Sequence, residues 1–159
     1  MTAVSDTSPI CYLILIDKIN ILPKLFDHVL VPEAVLAELR HEDAPEIVRK
    51  WSLSLPFWMA VEQGSGAVTT GMDKLQAGER EAILLPQSVN AKMILLGEKS
   101  ARRVALDRGL QVTGTLGILG AASMRKLVDL PSAIERLRTT GFPYSPALLK
   151  ATLDRFASR

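Results

Sequence analysis

Five short apolar or β-branched runs, each followed by a stretch with helical spacing, constrain this chain more than any other feature. Residues 2–5, 28–31, 58–62, 92–96 and 110–113 read as strands. Between and after them the spacing predicts helices over 8–16, 19–26, 33–41, 45–52, 78–88, 100–108, 115–127 and 131–140, and a last one from Ser145-Pro146 to the end. Pro9, Pro32 and Pro146 fall where a helix begins, Gly109 and Gly141 where one stops, and Pro86 is expected to kink or end its helix. Residues 64–71, rich in Gly, Ser and Thr, read as a loop. Strands alternating with helices require crossovers, and crossovers give parallel pairing. The expected fold is therefore α/β: a three-layer sandwich with a central, mainly parallel sheet, in one domain over residues 1–159. Sites in such sheets gather beyond the carboxyl ends of the strands.

A content of 48% hydrophobic and 23% charged residues excludes intrinsic disorder and suits a chain of 159 residues that buries a real core. The apolar run at 10–16 covers about a third of the roughly 20 residues that a spanning helix needs, and no positive leader precedes it. A cytoplasmic protein without membrane contact is expected. Cys11 stands alone, which excludes an internal disulfide and CxxC zinc sites, and two histidines make a poor metal centre. The net charge of +2 conceals an asymmetry: residues 1–98 carry 8 Lys/Arg against 13 Asp/Glu, and residues 99–159 carry 11 against 4. Such a division suits either an enzyme that holds cations in one place and a polyanion in another, or merely solvated helix faces.

The acids give the charge a location. Asp6 follows the first strand and Glu98 the fourth, so both belong to the rim where α/β sites lie. Glu38 borders the buried stripe of its helix, and Glu79 opens the helix after Gly78. Carboxylates that converge repel one another unless a cation lies between them. With no soft ligand set, the hard ions Mg²⁺ or Mn²⁺ are the natural answer. Each acid also has a plainer role open to it. Asp6 and Glu98 could cap the helices that follow them, Glu33 could serve a helix dipole, and Glu38 could be a solvated helix residue.

These segments together resemble the PIN-domain nucleases, in particular the prokaryotic branch related to the toxin ribonucleases of toxin–antitoxin pairs. Val4-Ser5-Asp6-Thr7-Ser8-Pro9 is similar to that branch's first acidic motif, Val31-Pro32-Glu33-Ala34-Val35-Leu36-Ala37-Glu38-Leu39 to its second and Ala77-Gly78-Glu79-Arg80-Glu81-Ala82-Ile83 to its third. Ala101-Arg102-Arg103-Val104-Ala105, Val112-Thr113-Gly114-Thr115-Leu116-Gly117 and the tail Gly141-Phe142 with Ser145-Pro146-Ala147-Leu148 extend the resemblance over nearly the whole chain.

The resemblance implies a metal-dependent endoribonuclease. Asp6, Glu38, Glu79 and Glu98 fall on its Mg²⁺- or Mn²⁺-binding positions, and Thr7, Ser8, Thr113 and Thr115 fall on polar positions that line the site. Glu81 competes with Glu79 in the third motif; two residues apart on a helix they point about 200° apart, so only one can face a metal. In the fourth motif Gly97-Glu98 stands where the branch has a pair of aspartates. That departure also motivates the alternative of a PIN-fold RNA- or protein-binding module with a weakened metal site.

Lys99, Arg102 and Arg103 are candidates for the RNA backbone, where they would supply affinity without sequence information. A small antitoxin protein is a possible partner, and a homodimer is expected, with Leu13, Leu15, Ile21 and Leu22 either at its interface or in the core. A phosphoacceptor signalling domain is disfavoured, because Gly114 and Thr115, not a lysine, follow the last strand.

Overall fold

The computed structural model describes residues 1–64, 71–97 and 99–157. Glu98 and residues 65–70 of the expected loop lie outside them. The sheet has five strands, β1 (Thr2–Ser5), β2 (His28–Val31), β3 (Met59–Val61), β4 (Met93–Leu95) and β5 (Gln111–Thr113), in the order β3-β2-β1-β4-β5. Every pairing is parallel, with Val4 opposite both Leu30 and Ile94. Among the described residues the helices are α1 (Thr7–Leu15), α2 (Leu22–Leu25), α3 (Glu33–Leu39), α4 (Glu46–Ser52), α5 (Ala77–Ser88), α6 (Lys99–Asp107), α7 (Thr115–Met124), α8 (Leu130–Arg138) and α9 (Pro146–Arg155). The expected α/β fold with a parallel sheet is the one observed.

A parallel sheet covered on both faces buries successive residues in opposite directions. Ala3, Val29, Val31 and Leu95 face a core built with α1, α3, α7 and α8; Val4, Ile94 and Leu96 face one built with α5 and α6. These are the three layers. Leu13, Ile21 and Leu22 are buried in the first core, so they are not free to form a dimer interface, and Leu15 packs beside them half-buried. Each such leucine contributes about 1.5–3 kcal/mol by leaving water. Cys11 is half-buried on α1, and burial pushes its thiol up from its ordinary value.

Several boundaries differ from the sequence expectation for identifiable reasons. The segment at 19–26 divides into a 3-10 turn, Ile19–Ile21, and α2. Helix α5 runs through Pro86 to Ser88. A proline this near the end costs only the bond to the Ala82 carbonyl, and its own carbonyl accepts from Ala91 (2.8 Å). Lys126 takes a left-handed φ of 60°, which ends α7 before Leu127. Helix α8 stops before Gly141, because the Thr139 and Thr140 hydroxyls return to the Arg136 and Leu137 carbonyls. Gly109 ends α6 as expected, with φ 80°. The 3-10 turn Met72–Lys74 has no counterpart in the sequence pattern.

Helix α9 docks on α7 where Gly120 leaves room for Phe156: a Cβ at Gly120 would overlap that ring. Gly120→Ala should therefore cost about 1–3 kcal/mol in denaturant unfolding. In a Phe156→Ala background the overlap is gone, and the same change should stabilise α7 by roughly 0.5–1 kcal/mol through helix propensity. That reversal of sign checks the contact.

Candidate functional site

The strand order changes direction between β1 and β4, which opens a crevice at their carboxyl ends. The Asp6 amide donates to the Leu95 carbonyl (3.0 Å), so the end of β1 is tied to the end of β4. A Cβ at Gly97 would meet that of Ser8 at 3.5 Å, which puts the β4 exit against the start of α1. Leu96 in turn donates to Thr113 (2.9 Å), joining the end of β5.

Asp6 is buried, with 4% exposure, and occupies the N-cap position of α1, yet its side chain makes no capping hydrogen bond. Asp129 shows what a working cap looks like. It accepts from the Ser132 amide (3.1 Å), and hydrogen bonds from the Ser132 side chain and then its backbone hold the carboxyl below the usual range. Ser145 caps α9 in the same way. The plainer role open to Asp6 is therefore not the one it performs.

Glu38 reaches across from α3. The Thr7 hydroxyl donates to its Oε2, and its Oε1 would lie 2.6 Å from any Cβ placed at Gly78. Gly78 is thus a cradle for the Glu38 carboxylate. One residue on, Glu79 is 8% exposed; its Oε1 accepts from the Gln76 amide (3.1 Å) at the start of α5. Its Oε2 is buried with no hydrogen-bond partner among the described residues.

Asp6, Thr7, Ser8, Glu38 and Glu79 line one cavity of about 360 Å³ together with Lys74, Gln76 and Ser100. The last three were not anticipated. Gln76 carries a faint signal, three residues before Glu79 at a helix start; Lys74 lies in an unpatterned segment and carries none. Glu81, half-buried on the same helix, does not line the cavity. Thr113 and Thr115 lie at the β5 exit, outside the lining; Thr115 is buried in the first turn of α7, and Gly117 accommodates the Thr113 hydroxyl. Lys99, Arg102 and Arg103 are exposed on α6, whose Ser100 reaches the cavity, and Arg103 pairs with Asp107 (3.4 Å).

Among the described residues no three His, Cys, Asp or Glu side chains form a ready metal cage. Glu38 is engaged by Thr7, and one oxygen of Glu79 by Gln76. The donor set nevertheless fits a hard divalent cation in kind. It consists of carboxylates and hydroxyls, and one buried carboxylate oxygen, that of Glu79, has no donor among the described residues. Asp6, Glu38 and Glu79 are the residues able to hold such an ion.

A family model described as PIN domain matches residues 2–158. The chain belongs to the PIN-domain family, whose members are generally nucleases. No curated protein and no solved structure matches it.

Gly78→Ala tests the cradle. Alanine favours the helix by about 1 kcal/mol, and the clash falls on the mobile tip of Glu38, so stability should stay within about 1 kcal/mol of the parent. Displacing Glu38 should weaken Mn²⁺ binding by about threefold or more in titration calorimetry.

Proposed function

We propose that this chain is a Mg²⁺- or Mn²⁺-dependent endoribonuclease of the toxin–antitoxin type, with Asp6, Glu38, Glu79 and Glu98 as its acidic set. The observation that carries the reading is the convergence of three carboxylates on one cavity at the β1/β4 crevice, with a buried Glu79 oxygen left unpartnered among the described residues. Leaving a buried polar atom so costs on the order of 1–3 kcal/mol or more, and a bound cation offsets that cost. Glu98 enters on the sequence alone, from its place after the fourth strand and from the resemblance. The RNA preference and the antitoxin partner rest on the same resemblance.

A divalent ion in such a site supplies an activated water and neutralises charge on the scissile phosphate. The chain's own residues do the rest. Thr7 orients Glu38 by donating to it, and the Gln76 amide fixes one oxygen of Glu79 so that the other faces an unfilled need. Ser8 and Ser100 place hydroxyls on the cavity wall for phosphate oxygens. Lys99 and Arg102, exposed beside Ser100, hold the flanking backbone, where their contribution is independent of sequence and weakens with salt. Arg103 joins them at little cost, because an exposed pair such as Arg103–Asp107 is worth about 1 kcal/mol or less.

Asp6→Asn decides the matter. It should abolish Mn²⁺-dependent cleavage of single-stranded RNA and leave the fold nearly as stable, since easing carboxylate repulsion offsets what the charge contributed. Equal cleavage by Asp6→Asn and wild type under matched metal would remove the assignment. RNA binding without any cleavage by the wild type would favour the binding-module alternative. For Glu98, Glu98→Gln should weaken Mn²⁺ binding and cleavage while Glu98→Asp retains both; unchanged affinity in Glu98→Gln would take that residue out of the set.

A further inference from the structure

We propose that Lys74 is the phosphate-binding residue of this cavity, contacting a non-bridging oxygen of the RNA phosphodiester that enters it; the proposal rests on the nuclease reading above. Lys74 is the one basic side chain among the described lining residues, which otherwise offer three carboxylates, two serines, a threonine and a glutamine. Although it shares the cavity with Asp6, Glu38 and Glu79, it forms no ion pair with any of them. Its ammonium is therefore not consumed as their counter-ion. Its position is nonetheless well defined, because Met72 and Leu75 on either side are buried in the core beneath α5 and α6. Gly71, with a left-handed φ of 92°, sets the turn that presents it.

The charge balance gives this placement a purpose. The four carboxylates of the proposed set against one divalent cation leave a negative cavity that repels a phosphodiester. One ammonium halves that excess and gives the anion a direct donor. Lys99, Arg102 and Arg103 cannot do this from α6, because none of them lines the cavity. A lysine is a compact point charge with rotatable donors, suited to a tetrahedral phosphate approached from a flexible stem.

Lys74→Met and Lys74→Arg test the proposal. RNA affinity is read by fluorescence anisotropy of a labelled single-stranded oligonucleotide, with Ca²⁺ replacing Mn²⁺ as a hard cation of the same charge. Mn²⁺ affinity is read by calorimetry, and cleavage by KM and kcat. Lys74 is exposed, so both variants should keep the parent's thermal midpoint. Lys74→Met should weaken RNA binding and raise KM by about tenfold, leave Mn²⁺ affinity equal or tighter, and be largely rescued in Lys74→Arg. Unchanged RNA affinity and KM in Lys74→Met would overturn the proposal, including the case where Mn²⁺ binds more tightly, which would make Lys74 only a counter-ion of the acids. A wild-type chain that neither binds Mn²⁺ nor cleaves RNA would overturn the nuclease reading itself, and Lys74 with it.

Discussion

The parallel pairing of β1 with β4 holds the site in place, since it brings together two chain segments about ninety residues apart and sets where each one ends. Because side chains alternate across a strand, a slip of one residue in this register would send Ala3 and Val4 to the wrong cores. The same slip would carry Asp6 away from the Leu95 carbonyl that ties it to β4. The cores on the two faces therefore enforce the position of an acid that belongs to neither of them. Function at the crevice is underwritten by packing that is purely apolar.

Several carboxylates in one cavity oppose folding, and the structure distributes that opposition over separate devices. Asp6 stands at the start of α1, and Glu79 lies in the first turn of α5, where the positive end of each helix favours an anion. Glu38 comes from the body of α3 and meets both of those helix starts: Thr7, the first residue of α1, donates its hydroxyl to it, and it fits against the bare Cα of Gly78 in the first turn of α5. Among the described residues, one buried oxygen of Glu79 is left without a hydrogen-bond partner. Unsatisfied atoms of this kind are rare in folded proteins, and a ligand is one of their established explanations.

Membership in the PIN-domain family gives the fold and its general nuclease character, and the chemistry of the cavity is a separate observation. A fold alone does not determine an activity. The cavity adds a donor set suited to a hard cation, beside a basic helix whose exposed residues suit a polyanion.

Much of the architecture was legible because it follows from local pattern. Runs such as Val29 to Val31, β-branched and apolar on both faces, suit buried parallel strands, and Asp6 follows the strand that Ser5 closes. The start of α3 after Pro32 and the end of α6 at Gly109 are backbone preferences that need no tertiary partner. Other features depend on contacts between distant segments, and sequence spacing does not carry them. Thr7 and Glu38 are 31 positions apart, and Glu38 meets Gly78 a further forty on. Glu79 and Glu81 have similar apolar neighbours, so only the packing of α5 separates the one that lines the cavity from the one that does not. Leu13, Ile21 and Leu22 are as apolar as an interface or a core requires, and only the closed structure assigns them to the core. Lys74 lines the same cavity as the acids, with Met72 and Leu75 buried beside it, a consequence of folding that its own sequence neighbourhood does not encode.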